Sequence, residues 1–181
     1  MLFRSWEVYH SSLGGANYVL ELDRTAAVQS YSNYWYNGVT SSVFGVNGTY
    51  AGINGNGTTY VAYCFAAIAG YSAFGSYTGN GSADGPFVYC GFRPRFILIK
   101  RYDSGAEGWY IEDTSRSPYN VMQTYLSPNS SAAETTASFC NIDSLSNGFK
   151  IRNSDSAFNA SGGSYIYAAF AENPFNYSLA R

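Results

Sequence analysis

One repeat constrains this chain more than any other feature of its sequence. Asn54-Gly-Asn-Gly-Thr-Thr-Tyr-Val-Ala-Tyr-Cys-Phe-Ala66 returns as Asn159-Ala-Ser-Gly-Gly-Ser-Tyr-Ile-Tyr-Ala-Ala-Phe-Ala171. The differences 159 − 54, 165 − 60 and 170 − 65 all equal 105, and Phe44 and Phe149 stand at the same spacing. Each copy reads as a glycine-rich turn feeding a strand that carries Tyr and a β-branched residue first and small residues after. A fixed period of this kind points to duplicated modules. Residues 60–69 could instead form a short buried helix, because a continuous apolar run has no diagnostic period. Tyr165, Ile166, Tyr167 and the following Pro174 in the partner copy favour a strand in both places.

Composition agrees with that reading. Aromatic residues make up 18% of the chain and charged residues 12%, against roughly 25% charged in ordinary soluble domains. Disordered chains are poor in aromatic residues and rich in charge, so this one is expected to fold. Tyr, Thr, Val, Phe and Trp favour strands while Gly and Asn favour turns, which makes the expected class all-β, an antiparallel β-sandwich-like fold with modules in tandem. Residues 1–5 stand apart and are similar to translated sequencing-adapter sequence. Residues 6–73 form the expected first module and 74–181 the second. The second owns a leading segment, 77–101, that the first lacks. The first module is therefore expected to begin in its middle, with its missing strands placed upstream in a longer protein or supplied from elsewhere. Strands are expected at 18–22, 74–77, 86–89, 95–101, 109–112, 121–126, 148–152 and 165–171. Pro94 suits the head of the strongest of these, where no ladder donor is needed, and Phe96 and Leu98 are expected to face a core.

Several functional classes are disfavoured. The net charge of −2 draws the chain toward neither nucleic acid nor an anionic membrane. The longest apolar stretch, 61–74, is broken by Tyr63, Gly70, Tyr71 and Ser72, short of the roughly 18 apolar residues a spanning helix needs. Arg93, Arg95, Lys100 and Arg101 form a basic cluster, read as charged ends of a strand rather than as a nucleic-acid strip. Cys64, Cys90 and Cys140 are odd in number and lack metal-ligand spacing, which predicts buried free thiols.

Enzymatic and metal chemistry finds little support either. His10 is the only histidine, and no Gly-x-Ser-x-Gly elbow accompanies Ser11 and Ser12, so a satisfied, partly exposed imidazole is expected. Glu112 and Asp113 are neighbours on a strand and point to opposite faces, a poor glycosidase pair. Asp103 and Glu107 share a turn where solvated carboxylates are ordinary. The Asn/Asp/Gly-rich turns lack EF-hand spacing, and Gly79-Asn-Gly-Ser82 lacks the Lys and following helix of a phosphate loop. No catalytic residue, metal or cofactor is expected.

The candidate binding residues are aromatic. Tyr31, Tyr34, Trp35 and Tyr36 lie in Tyr31-Ser-Asn-Tyr-Trp-Tyr36, a polar stretch of the first module. Aromatic residues among Ser and Asn combine large rigid contact area with adaptable hydrogen bonding. They could stack on sugar rings or dock on a cell-surface protein. The alternative is that Trp35 plugs the core and the tyrosines shield it.

Tyr77-Thr-Gly-Asn-Gly81, Gly91-Phe-Arg-Pro-Arg-Phe-Ile-Leu-Ile-Lys-Arg101, Leu145-Ser-Asn-Gly-Phe-Lys150 and Tyr165-Ile-Tyr-Ala-Ala-Phe-Ala-Glu-Asn-Pro-Phe175 together resemble an uncharacterised repeated domain of tailed-phage proteins. That domain is similar to the C-terminal ends of predicted tail-fibre or virion-surface proteins. The resemblance covers the chain from Trp6 onward and carries no catalytic residues. It implies a structural and adhesive role on an extracellular virion surface. The implied partners are a host cell-surface glycan or protein and other virion subunits, with homotrimerisation typical of fibre proteins. A carbohydrate-binding module of a secreted bacterial protein is the alternative, and a depolymerising tailspike enzyme the third reading.

Overall fold

The computed structural model describes residues 5–36, 38–48 and 50–174. In chain order the elements are β1 (Glu7–Val8), β2 (Tyr18–Glu21), β3 (Gln29–Ser30), α1 (Ala51–Asn54), β4 (Ser72–Thr78), β5 (Phe87–Tyr89) and β6 (Pro94–Arg101). There follow β7 (Trp109–Asp113), β8 (Thr124–Leu126), β9 (Thr135–Thr136), β10 (Ile142–Leu145), β11 (Gly148–Ile151), α2 (Ser156–Asn159) and β12 (Ser164–Ala171). The class is nearly all β and β-sandwich-like. Three antiparallel sheets have the orders β1-β2-β3, β10-β11-β5 and β4-β12-β6-β7-β8-β9.

The six-stranded sheet is covered on both faces, and strand alternation explains how. Tyr165, Tyr167 and Ala169 of β12, with Ile97 and Ile99 of β6, point into the main core. There they meet Val88, Ile142, Phe149 and Ile151 of the small sheet, while Phe158 of α2, Met122 and Cys140 fill the ends. The intervening residues Ile166, Leu98 and Trp109 face the other way and pack on Leu13 and Leu20 of the N-terminal sheet. Leu98 thus faces a core, as expected, the one shared with the N-terminal sheet, and Phe96 on the same side meets the Phe170 ring. Ile97 and Ile99, on the opposite face of β6, line the main core.

Two buried polar anchors fasten the N-terminal sheet. His10 donates from Nε2 to the Tyr167 carbonyl at 3.1 Å and accepts from the Ser12 amide at Nδ1, 3.1 Å away. It is satisfied, as expected, but buried rather than partly exposed. Lys100 is wholly buried and gives its three N–H donors to the carbonyls of Thr25 (3.1 Å), Arg101 (2.6 Å) and Glu107 (2.8 Å). Desolvation pulls its ammonium down to about 8. A buried lysine with all donors matched ties the loop after β2 to the β6–β7 hairpin.

Most expected strands are present, with β4 opening at Ser72, two residues ahead of the expected module boundary at 74. The exception is 60–69. No ladder joins residues 59–66 to any described residue, and only Ile68 makes an isolated bridge, to Ser72. The two copies nevertheless share a unit. In the second, the Tyr165 hydroxyl donates to the Ser156 carbonyl (2.7 Å) and accepts from the Ala160 amide (2.7 Å). In the first, Tyr60 does the same with Ala51 (2.8 Å) and Gly55 (2.8 Å), each partner 105 positions earlier. Gly57 and Gly162, also 105 apart, both sit at positive φ, 71° and 73°, where glycine alone is free of strain. What recurs is this helix–turn–tyrosine unit, and among the described residues no second six-stranded sheet accompanies it.

Free thiols are the rule, but their burial is not. Cys140 is buried, Cys90 half-buried and Cys64 exposed. Cys64 is exposed because the segment that carries it has no sheet around it.

Candidate functional site

The aromatic stretch divides into two anchors and two exposed rings. The chain around Asn33 is stitched to 16–18. The Asn33 amide donates to the Asn17 side chain (2.9 Å), the Tyr31 amide to the Asn17 carbonyl (2.8 Å), and the Trp35 amide to the Ala16 carbonyl (2.9 Å). Asn33 takes a left-handed φ of 54°, which its short polar side chain tolerates. This turn drives Tyr34 and Trp35 inward, where they pack with Val19 as a small core. Trp35 meets Tyr9 edge-on, and its Nε1 donates to the Tyr18 carbonyl at 3.0 Å. Tyr34 is hydrogen-bonded to the Glu7 carboxyl. Burial holds the phenol well above its ordinary range and raises Glu7 as well.

Tyr34 and Trp35 thus serve as scaffold and offer no face to a ligand. Tyr31 and Tyr36 do, at 48% and 52% exposure. Tyr36 lines an open depression of about 410 Å3 together with Asn33, Val46, Asn47 and Gly48. An aromatic ring beside carboxamides and backbone polar groups is suited to sugar rings or polar peptide. Ring faces cover C–H surfaces while amides match hydroxyls.

A second depression, about 570 Å3, escaped the sequence reading. It lies where Arg95, Phe96, Asp113, Arg116, Glu134 and Phe170 converge. Arg116 pairs with Asp113 and, at 2.9 Å, with Glu134, while the Arg95 guanidinium donates to the Ser115 hydroxyl at 2.6 Å. Its parts come from β6, the end of β7, the approach to β9 and β12, so no local spacing announces it. The basic cluster, expected to be the solvated charged ends of a strand, is likewise dispersed among separate partners. Arg93 meets Glu172 (3.4 Å), Arg101 meets Asp103 (2.7 Å), and Lys100 is buried.

One buried acid lies away from both depressions. Glu112 is buried in β7, and neither carboxyl oxygen has a hydrogen-bond partner. The neighbouring Cys140 thiol points at the carbonyls of Gln123 (3.1 Å) and Ala137 (3.0 Å) instead. Desolvation raises the Glu112 carboxyl well above its ordinary range and pushes the Cys140 thiol up to about 12. At 1% and 0% exposure, Glu112 and Cys140 present no surface to a substrate. Among the described residues no cluster of three or more His, Cys, Asp or Glu could hold a metal ion, and no helix is long and apolar enough to cross a membrane.

No curated protein and no solved structure matches the chain. A family model does match, over residues 2–174. With nearly its whole length covered, the chain belongs to the family described as the domain of unknown function DUF7483.

Proposed function

We propose that this chain is an adhesive module of a tailed-phage tail fibre or other virion-surface protein, and that it grips a glycan or protein of the host envelope. The observation that carries this reading is the exposed pair Tyr31 and Tyr36, set beside an open, amide-lined depression on a buried Tyr34–Trp35 anchor. Rigid aromatic contact area next to adaptable polar groups is what recognition of many weak contacts requires. An open depression suits a polymer passing over the surface better than a small molecule enclosed within it.

Fluorescently labelled protein incubated with a panel of bacterial hosts, and in parallel with an array of their surface glycans, tests the reading. Binding to at least one surface that falls about tenfold in the Tyr31→Ala/Tyr36→Ala variant supports it. The variant should keep its unfolding midpoint, since both rings are exposed. Absence of binding across the panel, or binding indifferent to the two tyrosines, rejects this site.

A further inference from the structure

The copy at 54–66 repeats the tyrosine clamp and the glycine turn of the 159–171 unit without the neighbours that bury it. Tyr60 is 41% exposed where Tyr165 is 0%, and Val61 63% where Ile166 is 2%. Tyr63 and Phe65 are exposed too, Tyr63 beside the Trp6 ring and Phe65 beside the rings of Phe74 and Phe170. An exposed apolar stretch whose backbone joins no ladder among the described residues is a template for strand pairing.

The second copy shows what such a unit receives. β12 pairs antiparallel with β4 in the register Tyr165 opposite Tyr77 and Ala169 opposite Ala73. Tyr77 stacks flat on Tyr165, centroids 4.8 Å apart. Gly79 then exchanges backbone hydrogen bonds with Gly162 and Gly163, both at 2.9 Å, and a Cβ there would collide with the Ala160 carbonyl. Asn159 closes the contact. Its Oδ1 accepts from the Asn80 amide (2.8 Å), its Nδ2 donates to the Asn80 side chain (3.0 Å), and its carbonyl accepts from Gly81 (3.0 Å). The unit therefore reads a strand ending in Tyr-x-Gly-Asn-Gly. In the first copy the reading residues stand ready: Tyr60 for Tyr165, Gly57 for Gly162, and an exposed Asn54 for the buried Asn159.

We propose that residues 54–66 form an acceptor site for an extended polypeptide strand ending in Tyr-x-Gly-Asn-Gly, taken up by antiparallel β-augmentation from another module of this family. A second copy of this chain is not the donor, because its own motif, Tyr77–Gly81, is already spent on 159–165.

Cys64 provides the readout, since it occupies the place of Ala169, wholly buried between β4 and β6. The full chain is mixed with a synthetic peptide of residues 72–81, Ser-Ala-Phe-Gly-Ser-Tyr-Thr-Gly-Asn-Gly. Alkylation of Cys64 and amide exchange of 59–66 are then followed. The expected result at about 1 mM peptide is a roughly tenfold slowing of Cys64 alkylation and new amide protection confined to 59–66. The protection should weaken severalfold with Asn54→Ala protein, whose exposed side chain leaves folding intact, and vanish with a scrambled peptide. Four outcomes overturn the proposal: no protection, equal protection by the scrambled peptide, exchange that changes in 164–171 instead, or concentration-dependent protection without peptide. The last would make a second copy the occupant.

Discussion

The same local unit is found in two opposite environments. At 156–171 a short helix, a glycine turn and a tyrosine clamp launch an interior strand of a six-stranded sheet. At 51–66 the same clamp hydrogen bonds launch a segment that joins no sheet among the described residues. The difference teaches that turn chemistry is local and strandhood is not. Gly57 and Gly162 adopt positive φ because glycine can, and each tyrosine reaches back to its own helix carbonyl because five to nine residues separate them. A strand exists only when other backbone fills its hydrogen bonds on at least one side.

Paired substitutions are the strongest way to break this comparison. Ile166→Ala empties a fully buried site and is expected to cost about 2–5 kcal/mol. Val61→Ala, its counterpart, should stay within about 0.5 kcal/mol. Urea unfolding of the two variants measures the gap, and equal losses would mean that 59–66 is buried in solution.

A smaller contrast is expected at the clamp. Tyr165→Phe leaves the half-buried Ala160 amide without the phenol of a fully buried side chain, and the Ser156 carbonyl with only the Arg101 guanidinium at 3.4 Å, a loss of about 1–2 kcal/mol. Tyr60→Phe frees the Gly55 amide and the Ala51 carbonyl close to water, which replaces the phenol at a cost of about 0.5 kcal/mol or less. Thermal melts that rank the two variants the other way would show that the first clamp, not the second, carries stability.

Glu112 sharpens the comparison from the buried side. Its folded carboxyl titrates far above the ordinary value of 4.5, whereas the unfolded chain ionises near that value. Between those two points the unfolded state has released a proton that the folded state retains, so stability falls as pH rises through the window. Glu112→Gln removes this dependence. The variant is expected to gain on the parent at pH 8, and the gap should close below about pH 4. Urea midpoints at the two pH values decide it; a parent that gains stability from pH 4 to 8 relative to the variant contradicts the assignment.

The smallest effect is chemical. Cys64 should alkylate at the rate of an open thiol, whereas Cys140, buried and pushed up to about 12, should react only on unfolding. Peptide mass mapping after brief alkylation at pH 8 reads this directly. Early modification of Cys140 would mean that the small sheet opens readily.

Much of the fold was legible in the residues. β-branched and aromatic content and short, turn-bounded spacing located β2, β4 through β8, β11 and β12. Pro94 marked the head of β6, as its missing N–H requires. β10 and β9 were not legible: Ile-Asp-Ser-Leu and Thr-Thr are too short and too polar to stand out before their partners are known. The candidate site was half legible. Its aromatic residues announced themselves, but the division into Tyr34 and Trp35 within and Tyr31 and Tyr36 without depends on the Asn17 contacts, far along the chain.

What the sequence determined alone, then, is whatever a few neighbouring residues can settle by sterics and short hydrogen bonds: the all-β class, the turns, and the duplicated tyrosine clamp. Tertiary structure alone decided which of two similarly patterned segments became a strand, which aromatic rings went inside, and where Arg95 and Arg116 came to line one depression. Those outcomes depend on backbone and side chains brought together from distant positions, and a residue carries no mark of the neighbours it will find.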